Sequence, residues 1–537
     1  MHINLNILLK STTIKIHLFL LYFYSWAINC SAQTWQKCYG GTNYDYARDI
    51  KQTNDGGYIV VGETYSSDGD IQGYHQNPTP GVLAADIWIV KIDSLGFLQW
   101  QKCLGGSNVE LANAIQQTND NGYIIAGSAR STNGDLTSNR GDRDYWIIKL
   151  NSFGNIEWQK CYGSTGGEEA FSVLQTNDNG FVVVGFTNGN DGDVTGNHGT
   201  NDIWVLKLNS FGIIEWQKCL GGQGSDAIDI YTHYCLDRNS VEIASNGDIV
   251  IASTSGSNDG DVSGNHGQGD IWVVRLNPQG NIVWQHSYGG SIGEFANAIK
   301  KTSDGGFVVV GYSQSNDGMV TGNHGQFDYW LIKLNSNGVL EWQKSLGGSH
   351  ADCGEDVQQT RDGGYILSGI AYSNDGDISG GYGGGDYWIV KLNSIGNIQW
   401  QSSLGGNSAD YGNAILQAND GGYIVAGATG SNNGNVSGSH GSTDFWVVKL
   451  NSAGTIGVEN LDLNSISIHP NPFDEQIYID NYFPSFIVVK NQFGQTMTEN
   501  SDVHVISTHS FLPGIYFVEI FDSNHLMIRN FKMIKVN

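Results

Sequence analysis

Asp144-Tyr145-Trp146-Ile147-Ile148-Lys149-Leu150, then Asn151-Ser152-Phe153-Gly154, then Ile156-Glu157-Trp158-Gln159-Lys160-Cys161: this stretch decides the fold. Trp146, Ile148 and Leu150 fall on alternate residues, the period of a strand. Asn151 to Gly154 is a four-residue turn, and Ile156 to Cys161 is the strand that returns. Upstream, Ala112-Asn113-Ala114-Ile115-Gln116-Gln117 also alternates small or apolar with polar. Asn119-Asp120-Asn121-Gly122 is a hairpin turn, because Asn and Gly tolerate positive φ. Tyr123 to Ala126 is a short apolar strand, and a polar, Gly-rich loop links it to Asp144. The unit is therefore four antiparallel strands without a helix.

The unit repeats. Trp-Gln recurs at Trp35, Trp100, Trp158, Trp216, Trp284, Trp342 and Trp400, at spacings of 65, 58, 58, 68, 58 and 58 residues. A second tryptophan, two residues after an Asp, recurs at Trp88, Trp146, Trp204, Trp272, Trp330, Trp388 and Trp446. Together they take fourteen of the fifteen tryptophans. Seven four-stranded antiparallel units predict an all-β fold, a seven-bladed β-propeller. Separate β-sandwiches would need ~100 residues each, and solenoid turns are shorter.

The ends predict closure. After Asp444–Leu450 and the turn Asn451-Ser452-Ala453-Gly454, no Trp-Gln-Lys strand follows. Thr34-Trp35-Gln36-Lys37-Cys38 stands alone at the other end and is expected to complete the last blade, removing an exposed edge. The tryptophans are expected to fill the wedges between blades. The Asp that precedes each inner one, Asp86 to Asp444, is expected to accept backbone hydrogen bonds where the long loop enters the strand.

Composition agrees with a folded, loop-rich chain. Of 537 residues, 73 are Gly and 7 are Pro, and 15% are charged. The net charge is −26, of which −24 lies between residues 33 and 460. Such a region repels phosphate backbones, so nucleic acid is excluded as a partner. Lys10 and Lys15 precede an apolar run from Ile16 to Ile28, and Cys30-Ser31-Ala32 places small residues before a cut at Gln33. Residues 1–32 read as a secretory signal peptide. Acylation of Cys30 is the lesser alternative, because Asn29 is a bulky polar neighbour for that cut. The run is too short to span a bilayer, and no transmembrane segment is expected after the signal.

Candidate chemistry sits on the long loops, which share a face with the Gly-Gly crossovers. Asn190-Asp191-Gly192-Asp193 and its counterpart from Asn258 either hold Ca²⁺ through paired carboxylates or form tight turns. Asn133-Gly134-Asp135, Gly318-Met319 and Asn433-Gly434-Asn435 break the pattern and favour the turn. His198, His266, His324 and His440 share one loop position, with Arg140 and Tyr382 in two others. They stand on separate blades, so they are expected to cap turns rather than share a zinc. Cys38, Cys103, Cys161 and Cys219 are likewise one repeat position and beyond disulfide reach of one another. Cys235 and Cys353 have no counterpart, and no disulfide framework is expected. Gly289-Gly290-Ser291-Ile292-Gly293 matches G-x-S-x-G without the strand-turn-helix context that motif needs. No catalytic, cofactor-binding or metal residue is assigned, and no cofactor is expected beyond Ca²⁺.

At Leu461 the repeats stop. Residues 457–465 read as a linker. Residues 466–537 read as a small antiparallel β-sandwich opening on His469-Pro470-Asn471-Pro472 and carrying Asn491-Gln492-Phe493-Gly494, Leu512-Pro513-Gly514-Ile515-Tyr516 and the closing Lys532-Met533-Ile534-Lys535-Val536. In this order the motifs resemble the C-terminal sorting domain of the type IX (Por) secretion system of Bacteroidetes. Lys490 departs from that pattern, where an acidic residue commonly precedes the Gly. The resemblance implies export through the periplasm, recognition by the type IX machinery at the outer membrane, and release or attachment at the cell surface. It implies nothing about what the exported part does.

The expected function is a non-enzymatic, adhesion-type binding protein, with an extracellular glycan or protein as ligand. The alternative is a secreted glycan hydrolase or lyase on a propeller, and a third class is a structural surface-layer protein. Symmetry separates them, because an active site is one place. The repeats differ mainly at Tyr74–Ala85 and Tyr231–Val241, the second followed by Glu242 and containing Asp237 and Arg238. No partner for these can be assigned from sequence.

Overall fold

The computed structural model describes residues 34–79, 81–82, 84–227, 235, 238–456, 467–480, 486–500, 505–521 and 527–536. The expected signal peptide and its cut, the expected linker 457–465, and Asp237 lie outside these residues. Among the described residues every regular element is a strand. The chain divides into two compact units, one ending at Ile456 and the other beginning at Gly457.

In the first unit each repeat is one four-stranded antiparallel sheet. Sheet I runs Asp45–Gln52, Tyr58–Thr64, Asp86–Ile92, Leu98–Leu104. Sheets II to VI have first strands Glu110–Gln117, Glu168–Gln175, Ser240–Ile243, Glu294–Lys301 and Asp352–Gln359. Sheet VII takes Asp410–Gln417, Tyr423–Thr429 and Asp444–Leu450, and its fourth strand is Trp35–Tyr39 from the far end of the chain. Trp35 lies opposite Lys449 and Tyr39 opposite Phe445. Each first strand neighbours that of the next sheet, and that of sheet VII neighbours that of sheet I.

One hydrogen bond recurs at all seven junctions. The N–H of the first-strand acid donates to the carbonyl just before the previous sheet's third strand, as Glu110 N does to Ala85 O (2.7 Å) and Asp45 N to Thr443 O (2.8 Å). The acid itself is buried, and its carboxylate accepts from the crossover, as Glu110 does from Gly106 N (2.8 Å). Side chains add further links. Asn413 Nδ2 donates to Ala47 O (2.7 Å) and Asn419 N to Gln52 Oε1 (3.1 Å), both across the junction of VII with I.

The two tryptophan series pack differently. Trp88, Trp146 and their five equivalents are fully buried, each with its indole N–H on a fourth-strand glutamine, as Trp146 on Gln159 Oε1 (2.7 Å). The outer series is half-buried and covers the next sheet's turn. Trp100 lies over Gly154, where an added Cβ would stand 2.9 Å from the ring and φ is 74°. Only glycine meets both conditions.

Sheet IV departs from the rest. Asp226 keeps the junction bond to Asn201 O (2.7 Å), but the first strand resumes only at Ser240 and is four residues long instead of eight. The extra chain of the fourth repeat therefore enters within the innermost strand.

In the second unit, Ser467–His469, Gln476–Asp480 and Val505–Ser507 form a three-stranded sheet. Thr496–Asn500, Phe486–Asn491, Gly514–Phe521 and Met527–Lys535 form a four-stranded one. Ile477 and Ile479 of the first share an apolar core with Ile487, Val489, Val518 and Ile520 of the second.

Candidate functional site

The first strands of all seven sheets line one cavity of about 90 Å³. Most first strands carry a β-bulge at its level, such as those between Ala47 and Asp49 and between Ala296 and Ala298. A bulge leaves one residue unpaired and re-aims its side chain. The bulged residues are Arg48, Asn113, Phe171, Asn297, Glu355 and Asn413, and all line the cavity. This single repeat position carries Arg, Asn, Phe and Glu in different repeats.

Several lining groups are engaged structurally. Asp49 accepts from Ile50 N (2.8 Å), from Ile115 N of sheet II (3.0 Å) and from Lys51 Nζ (2.5 Å). Asp356 accepts from Val357 N (2.9 Å) and from Ile415 N of sheet VII (3.0 Å), with Lys300 Nζ at 4.0 Å. Arg48 Nε lies 3.0 Å from both carboxylate oxygens of buried Glu63. Burial works against the Lys300 charge, but Asp356, Glu242 and Asp49 outweigh it and raise its pKa.

The extra segment of sheet IV supplies the rest. Arg238 Nη1 donates to Arg48 O across the cavity (3.3 Å). Burial lowers the pKa of its guanidinium, opposed by Glu355, Asp49 and Asp356. Glu242 also lines the cavity. Sequence reasoning had singled out Arg238 and Glu242 without partners; their surroundings come from six other sheets.

The cysteines require a correction. Cys38, Cys103, Cys161 and Cys219 are free, but Cys235 and Cys353 form a disulfide with Cα atoms 5.7 Å apart. The two lie 118 residues apart in sequence, and the packing of neighbouring first strands brings them together. The bridge ties Cys235, ahead of the first strand of sheet IV, to the first strand of sheet VI.

Around it lies an aromatic cluster at the long-loop end of the strands. Cys235, Cys353, Tyr312 and Ile370 pack with half-buried Phe295, Phe327, Tyr372 and Tyr411. Phe295 stacks on Tyr312 (4.6 Å, 17°). Tyr44 stacks on Tyr46 (6.2 Å, 2°), and the Arg48 guanidinium stands 5.5 Å from the Tyr46 ring. These residues were missed in sequence. Their signal was substitution at repeat positions, Tyr46, Phe295 and Tyr411 standing where other units have Leu111 or Glu169.

The long-loop residues do other work. Asp191 Oδ1 accepts from Thr165 N (2.7 Å), and Asp193 Oδ2 from Gly163 N (3.3 Å). Asn133 and Asn433 accept the equivalent bonds from Ser107 N (2.9 Å) and Asn407 N (2.8 Å). An amide oxygen serves a backbone donor as well as a carboxylate does, so the pattern can break without loss. His198 donates its backbone N–H to Asp202 Oδ2 (3.0 Å), and its Nδ1 lies 2.7 Å from the same oxygen. His266, His324 and His440 repeat this, and so does His75, a fifth member hidden by the longer loop of sheet I. Arg140 and Tyr382 cap with the backbone N–H alone (2.8 and 2.7 Å), which explains why the side chain can vary. Gly289 to Gly293 is a crossover in which Ser291 N donates to Asp317 (2.8 Å), and a strand follows it.

No family model matches the chain, and no curated protein matches it. Solved structures do. PorZ of Porphyromonas gingivalis, described as an essential bacterial surface component of the type-IX secretion system, is 10% identical over 91% of this chain and 81% of its own, with a TM-score of 0.30. The Pan2 WD40 domain of Neurospora crassa is 10% identical over 78% and 96%, with a TM-score of 0.39. A PL25 ulvan lyase is 10% identical over 80% and 99%, with a TM-score of 0.43. These likenesses concern the fold alone. Among the described residues the chain is an all-β repeat protein of four-stranded antiparallel sheets. Among the described residues no helix is long and apolar enough to cross a membrane.

Proposed function

We propose that the chain is an exported, seven-bladed β-propeller that binds a ligand outside the cell, carried there by type IX secretion through a C-terminal sorting sandwich, residues 466–537. The seven junction bonds and the strand Trp35–Tyr39 in sheet VII support the closed ring. The observation that carries the binding reading is the cavity, where the first strands of all seven units bring unlike side chains together. Binding is favoured over hydrolysis or lysis because Asp49 and Asp356 already accept backbone N–H bonds and ion-pair with lysines. A general acid and base need free carboxyls in reach of a reacting atom. The partners are an extracellular glycan or protein and the secretion machinery, with no nucleic acid and no obligatory cofactor.

Two measurements test this. Deleting residues 461–537 is expected to leave the repeat unit folded and held in the periplasm; normal surface levels of the truncated chain would contradict the export route. A glycan and protein array probed with the purified exported chain is expected to give a specific signal without turnover. Release of cleaved product would favour the enzyme reading instead.

A further inference from the structure

Six aromatic side chains stand at the long-loop end of four neighbouring sheets: Tyr44 and Tyr46 at sheet I, Phe295 and Phe327 at V, Tyr372 at VI and Tyr411 at VII. Tyr46, Phe295 and Tyr411 hold one repeat position, which is Leu111 in sheet II and Glu169 in III. The Tyr44 and Tyr46 rings stack, and Phe295 meets Phe327 edge-on (6.4 Å, 77°). Phe295, Phe327, Tyr372 and Tyr411 all pack on the cluster that holds Cys235 and Cys353. Tyr44 is 46% exposed and the other five are half-buried. Grouped, accessible aromatic rings of this kind mark interaction surfaces.

Charge around this aromatic arc has one sign. The crossovers and long loops of the four sheets, residues 40–46, 65–85, 289–295, 313–327, 347–353, 371–386, 405–411 and 429–443, contain no lysine and no arginine. They carry the exposed carboxylates Asp68, Asp317 and Asp375, which accept from Thr42 N (2.8 Å), Ser291 N (2.8 Å) and Ser349 N (2.7 Å). At the opposite, tight-turn end of the same sheets the carboxylates have cations. Asp55 pairs with Lys91 (2.9 Å), Asp304 with Lys333 (2.8 Å) and Asp362 with Lys391 (2.9 Å). Among the described residues, the carboxylates of these sheets that lack a lysine or arginine thus include those beside the aromatic rings.

An aromatic face and a carboxylate without a countercharge both attract a cation. A lysine or arginine also lays an apolar stem on the rings while its charged head stays in water among the carboxylates. The molecule makes this contact with a residue of its own. The Arg48 guanidinium stands 5.5 Å from the Tyr46 ring, and its charge is met by Glu63 (3.0 Å). An arc spread over four sheets is longer than one cation requires, so its occupant is a chain with several. Resting on the binding reading above, we infer that the arc is a docking surface for a lysine- and arginine-rich segment of a partner protein. Its stems cover Tyr44, Phe295 and Tyr411, and its charged heads face Asp68, Asp317 and Asp375.

The test measures binding of the full exported chain to fluorescent Gly-Arg, Gly-Lys, Gly-Ser and Gly-Glu repeat peptides at physiological salt. The two basic peptides are expected to bind, and the other two are not. Tyr44→Ala and Tyr411→Ala should each weaken basic-peptide binding by roughly fivefold. Tyr411→Phe keeps the ring and should bind as the parent does. Asp317→Asn should weaken binding, whereas Asp191→Asn, which removes the same charge from the same loop position of sheet III, should not. Melting curves establish that the variants fold; Tyr44 is the most exposed of the six, so Tyr44→Ala decides if Tyr411→Ala does not fold. Absence of basic-peptide binding, or equal binding of the Gly-Ser peptide, overturns the inference. So does basic-peptide binding that the tyrosine variants leave unchanged, or that Asp191→Asn lowers as much as Asp317→Asn, since diffuse charge would then be the cause. A glycan or an acidic protein bound on the array, indifferent to Tyr44→Ala, would overturn the inference and leave the binding reading standing. Silence toward peptides, glycans and proteins alike would remove both.

Discussion

Buried carboxyls set the pH response. Burial pushes Asp45, Asp144, Asp352 and Asp386 up to about 6, against backbone donors such as Gly41 N and Gly348 N that pull the other way. A folded pKa above the unfolded one gives stability that is complete below the unfolded value, 3.8, and is lost as pH rises through 6. A second set has the opposite sign. Burial would raise Asp120, Asp178, Asp304 and Asp362, but a threonine hydroxyl, a buried lysine and a glycine N–H hold each at about 2. Their contribution is present above 3.8 and lost as pH falls through 2. These four are half exposed, so solvent screening makes their share small. Urea midpoints are therefore expected to be higher near pH 5 than near pH 8, in enough salt to screen the diffuse negative charge. Asp144→Asn should flatten that difference; a midpoint that rises toward pH 8 would contradict it.

Two elements tie distant parts of the repeat unit together. Trp35–Tyr39 covers the edge of Asp444–Leu450, and Gln36 Oε1 accepts from Trp446 Nε1 (2.8 Å). A chain starting at Gly41 loses that strand and the cover that Trp35 gives Gly96. It should lose at least ~3 kcal/mol of stability, the scale of removing one packed tryptophan. Unchanged melting would mean that the strand does not close the sheet. The disulfide is the second such link. Cys235→Ser should cost ~2–4 kcal/mol, because the bridge restricts a long loop in the unfolded chain. Cys353→Ser should cost the same, and the double variant no more, measured by urea unfolding without reductant.

Over the whole molecule, the net charge of −26 means that any added cation relieves some repulsion. A specific Ca²⁺ site would behave otherwise, stabilising by ~2.7 kcal/mol at 100 times Kd and persisting in high salt. The long-loop carboxylates already accept crossover N–H groups, as Asp191 and Asp193 do. Melting in excess NaCl is therefore expected to be nearly equal with EDTA and with millimolar Ca²⁺. A saturable shift that Asp193→Ala or Asp261→Ala reduces would make these loops metal sites.

The repeat pattern alone determined the four-stranded unit, the number of units and the origin of the last strand. Those features rest on local signals, period-two alternation and Asn-Gly turns, copied seven times. It also showed the role of the Asp before each inner tryptophan, because its partner is four residues upstream in most units. Only the tertiary structure decided the site. Arg48, Arg238, Asn297 and Asn413 lie far apart in the chain and meet because the first strands of the seven sheets neighbour one another and line one cavity. The Cys235–Cys353 bridge has the same cause. A repeat conceals such a site, since its residues differ from the pattern one at a time, and each single difference reads as drift until the fold places them around one cavity.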